Sequence, residues 1–110
     1  MRAASARAAA PVFAALGDET RLRLVTRLSA EGPRSIAHLT SGTDITRQAI
    51  TKHLNVLANA GLLLGSRRGR EQLWAIEPER LAQARRYLDA ISGQWDDALA
   101  RLKATVEEPR

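Results

Sequence analysis

The stretch Thr46-Arg47-Gln48-Ala49-Ile50-Thr51-Lys52-His53-Leu54-Asn55-Val56-Leu57-Ala58-Asn59-Ala60-Gly61 decides the fold. Thr46 is a good N-cap, because its hydroxyl can accept from an N–H left free in a first helical turn. Gly61 suits the left-handed residue that closes a last turn. Between them Ala49, Ile50, His53 or Leu54, Leu57 and Ala58 recur at steps of three and four, which makes one apolar helical face. Arg47, Gln48, Thr51 and Lys52 fall on the opposite face, free to meet a partner.

Upstream, Ser35 caps a short helix through Ile36, Ala37 and Leu39, which breaks at the turn residues Ser41-Gly42-Thr43-Asp44. Two short helices joined by a Gly-containing turn make residues 35–60 a helix-turn-helix. Before it, Asp18 is the N-cap of a helix whose stripe is read as Leu22, Leu24, Val25 and Leu28, opposite Arg21, Arg23 and Arg27. The turn chemistry of Glu31-Gly32-Pro33 ends that helix. Val12, Phe13 and Leu16 share one face of an earlier turn. Residues 1–10, rich in Ala and Arg, are expected to form a frayed arm, since they lack the apolar run of a signal sequence.

Downstream, the apolar run Leu62–Ser66 and the run Gln72–Ile76 flank Arg67-Arg68-Gly69-Arg70, which predicts a β-hairpin with a basic tip over residues 62–76. A hairpin directly after such a helix is a wing. From Pro78 to residue 107 the pattern is helical again, with Leu81, Ala84, Leu88, Ile91, Trp95, Leu99, Leu102 and Val106 at steps of three or four and Gly93 as its weak point. That stripe runs about eight turns, longer than a small domain can cover. The simplest cover is a second copy. The seam is therefore expected at Phe13, Leu88, Ile91, Trp95, Leu99 and Leu102, with Tyr87 and Trp95 read as seam aromatics rather than walls of a small-molecule pocket. The expected fold is mainly α with a small β-hairpin: one winged helix-turn-helix domain over residues 1–110, dimerising through its N- and C-terminal helices.

The chain has 110 residues, 45% of them hydrophobic, enough for one compact core. Its net charge of +5 is unevenly placed. Residues 1–76 hold eleven Lys and Arg against five acids, while residues 77–110 hold six against seven. Arg47 to Arg70 carries five basic residues and no acid, which suits a polyanion. The partner expected is double-stranded DNA. Arg47 can hold guanine O6 and N7 by two bonds, Gln48 can do the same for adenine N6 and N7, Thr51 can donate to a base or phosphate, and Lys52 suits a phosphate. Arg67, Arg68 and Arg70 would reach phosphates or an adjacent minor groove from the wing. The DNA-binding set is completed by Thr46 and by His53, read as packing against the core or bonding a phosphate. The rival reading is a winged-helix protein-interaction module that has lost DNA binding.

No enzyme is indicated: paired carboxylates, a metal cluster and a nucleophile with its base are missing, and Asp96 and Asp97 point different ways on a helix. No metal or other cofactor is expected, since the chain has no Cys and His38, with only Asp44 near it in sequence, makes half a site. The lack of Cys and of a bilayer-spanning run places the chain in the cytoplasm by default.

Three stretches in this order also resemble the ArsR family of bacterial winged-helix repressors. Ala14-Ala15-Leu16-Gly17-Asp18-Glu19-Thr20-Arg21-Leu22-Arg23 is similar to the family's opening signature, with Glu19 where many members have Pro. Thr46 to Leu63 is similar to its recognition-helix pattern, and Arg67-Arg68-Gly69-Arg70 followed by Leu73-Trp74 to its wing. The resemblance covers about Phe13 to Val106. It implies a homodimer with paired recognition helices on a palindromic operator, which usually represses and is released by a signal. Metal-responsive members carry Cys in the third helix or Asp, His and Glu sets in the last helix. Here the third helix reads Ser35-Ile36-Ala37-His38-Leu39-Thr40 and the last helix has no His, so the resemblance is to the branch without metal ligands. Any small-molecule effector is left unidentified.

Overall fold

The computed structural model describes residues 5–107. Its elements, in chain order, are α1 (Ala6–Leu16), α2 (Glu19–Glu31), β1 (Arg34–Ser35), α3 (Ile36–Thr40), α4 (Arg47–Asn59), β2 (Leu63–Arg68), β3 (Glu71–Ile76) and α5 (Pro78–Glu107). The caps read from the sequence are in place. Asp18 accepts from Arg21 N at 3.0 Å, Ser35 from His38 N at 3.2 Å and Thr46 from Ala49 N at 3.1 Å. Each satisfies an N–H that a first turn would otherwise leave unpaired.

The wing is a third strand richer than the expected hairpin. β1, β3 and β2 form an antiparallel sheet in that order, with Arg34 opposite Trp74 and Ser35 opposite Leu73. β2 and β3 pair from Leu63 opposite Ile76 to Arg68 opposite Glu71. The sheet thus anchors the wing to the segment that feeds α3.

Leu28, Leu39, Ile50, Leu54, Leu57 and Leu62 are fully buried, and around them Val12, Leu24, Val25, Leu63, Trp74 and Ala84 complete one core. Every element except β1 contributes to it. α4 lies across this core, so its polar face must look outward. Gly61 ends α4 with φ +82°, and a Cβ there would stand 2.7 Å from Nε of Arg80, which packs over the turn from α5. Backbone conformation therefore calls for glycine at 61, and a side chain there would also push the end of Arg80 aside.

Three expectations need correction. The arm drawn over residues 1–10 ends at Ser5, because the Ser5 hydroxyl accepts from Ala8 N at 3.1 Å and starts α1, in which Ala9 is already buried; residues 1–4 lie outside the described ones. Leu22 is half exposed and does not belong to the stripe of Leu24, Val25 and Leu28. At about 100° per residue it stands roughly a third of a turn from their centre. Arg21 and Arg27, expected opposite that stripe, fold inward instead. Arg21 sits seven residues before Leu28, hence on the same face, and its guanidinium donates to the Ala14 and Ala15 carbonyls that end α1. Arg27 donates to the carbonyls of His38 and Leu39 at 3.1 Å each.

α5 runs for 30 residues, and Ala84 is its one buried residue. Leu88, Ile91, Trp95, Leu99, Leu102 and Val106 are each between 43% and 76% exposed and follow one stripe. Phe13, placed at the expected seam, is half buried, with its ring 6.1 Å from that of Tyr87 on the same chain's α5. It joins the first helix to the last.

Candidate nucleic-acid interface

The outer face of α4 follows from its inner one. Ile50, Leu54 and Leu57 are at most 1% exposed, and their burial turns Arg47, Gln48 and Lys52 to solvent. Thr51 is half buried between them, and its hydroxyl donates to the Arg47 carbonyl at 2.8 Å. Toward a partner that hydroxyl can only accept, which suits a base amino group and not a phosphate oxygen. Thr46 faces outward at the start of the helix, its hydroxyl accepting in the cap and still free to donate.

The hairpin tip is a two-residue turn between Arg68 and Glu71. Gly69 has φ +65° and Arg70 a negative φ, the pattern of a type II′ turn, which follows the right-handed twist of the strands. Strand alternation then sorts the wing side chains. Residues directly opposite share a face, and every second residue returns to it. Gly65 and Trp74 form one such pair and Arg67 and Gln72 the next but one, so Arg67 and Gln72 stand on the face where Trp74 is buried. Arg68 lies on the other face, opposite Glu71. The expected trio therefore divides.

Between α4, the start of α3 and the wing lies a concavity whose lining includes Arg47, Thr51, Arg67, Arg70, Gln72 and Trp74. Arg47 and Thr51 come to it from the helix, and Arg67 and Arg70 from the hairpin. Arg68, Gln48, Lys52 and Thr46 are not part of it. Gln48, Lys52 and Thr46 line a second, shallower surface on the outer side of α4.

A helix-turn-helix domain family matches residues 16–65. The arsenic resistance transcriptional regulator ArsR1 of Pseudomonas putida is 32% identical over 96 residues, 87% of this chain and 64% of that protein. The arsenical resistance operon repressor of Escherichia coli is 33% identical over 78 residues, 71% of this chain and 67% of that protein. The chain thus spans about two thirds of those relatives' own lengths. Among solved structures, an ArsR-like transcriptional regulator from Rhodococcus sp. RHA1 superposes with a TM-score of 0.78 at 36% identity, covering 94% of this chain and 96% of that one.

The chain belongs to the ArsR family of transcriptional regulators.

Within this ArsR-family domain, two buttresses hold α4 and the helix before it. His53 does not look outward with Lys52. It is half buried, with Nδ1 accepting from Arg21 Nη1 at 3.3 Å and lying 3.8 Å from Asp18 Oδ2. Its role is to dock α4 on the start of α2. The Asp18 carboxyl is held below the ordinary range mainly by the backbone N–H of Arg21, aided by the Arg21 charge. His38 finds an acid that sequence distance concealed: Nε2 is 2.8 Å from Glu31 Oε1. Glu31 also pairs with Arg27 at 3.1 Å and Arg34 at 3.4 Å, and the His38 bond is the main cause that lowers its carboxyl. Among the described residues, no three His, Cys, Asp or Glu gather as they would around a metal ion.

The Asp18 and Glu31 shifts fix a pH dependence. A carboxylate with a lowered folded value contributes stability that is present above its unfolded value and is lost as pH falls through the folded one. The melting temperature of this ArsR-family chain is expected to drop between neutral pH and about pH 3, and Asp18→Asn, which keeps a capping oxygen, should flatten part of that drop. Circular-dichroism melts at several pH values measure it. An unchanged pH profile in Asp18→Asn would remove Asp18 as a contributor.

Sequence reasoning passed over Gln72. The signal was there, because a strand residue two places before a buried Trp74 must share its face.

Proposed function

We propose that two copies of this chain form a homodimer that binds a palindromic duplex-DNA operator in the cytoplasm and represses transcription there. One observation carries the reading: Arg47 and Thr51 of α4 share a concavity with Arg67 and Arg70 of the wing, so helix and hairpin can grip one stretch of duplex. α4 would enter the major groove, where the Arg47 fork matches guanine and Gln48 matches adenine. Lys52 and the wing arginines would neutralise phosphates on either side. The acid-free run from Arg47 to Arg70 supports a polyanionic partner, and the exposed stripe of α5 supports the dimer. A twofold axis through that stripe would present the two α4 helices to half-sites about 34 Å apart, one turn of DNA. Repression is supported by the Escherichia coli relative, which is named an operon repressor. The reading assigns binding and no catalytic step.

Fluorescence anisotropy with duplex from the chain's own upstream region and with a scrambled duplex, over a salt series, tests it. Selective binding is expected, with log K falling linearly in log salt by about 0.9 per phosphate neutralised. Equally weak binding to both duplexes would remove sequence-specific DNA recognition from the reading.

A further inference from the structure

We propose that Gln72 is a further DNA-contacting residue of the wing, its amide NH2 donating to a phosphate oxygen of the strand that runs between α4 and the hairpin. Gly65 is the positioning residue that makes room for it. The assignment rests on the DNA reading above. Its first support is placement: Gln72 is exposed, stands opposite Arg67 on the inner face of the hairpin, and lines the concavity with Arg47, Thr51 and Arg70.

The second support is Gly65. A glycine inside a strand weakens it, and such a residue needs a reason. Backbone conformation does not supply one, since Gly65 is outside the positive-φ glycines of the described residues. Space does. A Cβ at 65 would stand 2.7 Å from Nε2 of Gln72, 3.8 Å from its Cδ and 3.7 Å from the Trp74 ring. Gln72 is the diagonal neighbour of Gly65 across the strand pair, a separation that a long side chain bridges. Its amide therefore lies over the bare backbone of Gly65. With any other residue at 65 the amide nitrogen would have to move.

The third support is chemistry. Arg47, Arg67 and Arg70 supply charge around this concavity, and Glu71 is the one acid in its lining. A neutral amide adds a directional N–H donor without another charge. It would fix where the strand lies rather than how strongly the field attracts it.

The test uses the whole chain with the upstream and scrambled duplexes over a salt series, and four variants: Gln72→Ala, Gln72→Glu, Gly65→Ala and the Gly65→Ala/Gln72→Ala double. Gln72→Ala is expected to lose about three- to tenfold affinity on both duplexes, the range of one hydrogen bond, with an unchanged salt slope. Gln72→Glu should lose more, because its carboxylate faces phosphate. Gly65→Ala should lose as much as Gln72→Ala, and the double variant no more than Gln72→Ala alone. Thermal melts establish that each variant folds, and if Gly65→Ala does not, the two Gln72 variants still decide. Gln72→Ala binding as tightly as the parent overturns the contact, a loss confined to the upstream duplex overturns phosphate as its target, and additive losses overturn the role of Gly65. A parent chain that binds neither duplex would sink the DNA reading itself, and this assignment with it.

Discussion

A Trp95→Asp chain is expected to sediment as a monomer at concentrations where the parent runs as a dimer. Trp95 is 64% exposed in the single chain, midway along a stripe from Leu88 to Val106 that no other element among the described residues covers. A charge at that place would have to be buried without a partner if two such helices met there, and an unpaired buried carboxylate costs several kcal/mol. The core of the domain lies elsewhere, in Leu28, Leu39, Ile50, Leu54, Leu57 and Leu62, so the variant should keep its winged fold. Its affinity for a palindromic duplex should collapse toward that of one half-site, because the second contact would no longer be made from an already bound partner. Sedimentation velocity over a concentration series reads the first effect, and anisotropy on full and half operators the second. A Trp95→Asp chain that stays dimeric would move the seam off this stripe.

Arg47→Ala combined with Lys52→Ala is expected to have the second largest effect, a loss of roughly a hundredfold or more in affinity for the upstream duplex. Arg47 is exposed in the first turn of α4, where no hydrogen bond or ion pair among the described residues engages its fork, and a bidentate guanine contact contributes about 1–3 kcal/mol of discrimination in each half-site. Lys52, about a turn and a half further along, should remove about one phosphate contact per subunit and lower the salt slope by about two for a dimer. Neither side chain packs in the core, so the melting temperature should hardly change. The double variant binding as the parent does would shift the reading to a protein partner for this face.

Much of this was legible in the chain because the deciding signals are local. A cap needs only a hydroxyl or carboxylate three residues before the N–H it accepts from, so Asp18, Ser35 and Thr46 announced their helices. The outward side of α4 followed from the period of Ile50, Leu54 and Leu57 alone. What stayed hidden depends on pairing across long separations. β1 is two residues long and exists as a strand only because Trp74 and Leu73, some forty positions away, align with Arg34 and Ser35. The inward turn of Arg27 needed the carbonyls of His38 and Leu39 to arrive beside it, and the partner of His38 needed α2 and α3 to pack. Arg68 was grouped with Arg67 because both are basic, and only the register with Glu71 separates them. Arg21 was readable and misread, since seven residues from Leu28 is nearly two full turns.

That same arginine has a mechanical consequence. One guanidinium holds the last carbonyls of α1 and, at 3.3 Å, the ring of His53 on α4. α1 in turn is braced on α5 by the Phe13 and Tyr87 rings. Side-chain contacts therefore connect α5 to α4 by way of α1 and α2. Both terminal helices are thereby tied through side chains to the helix that carries Arg47 and Gln48.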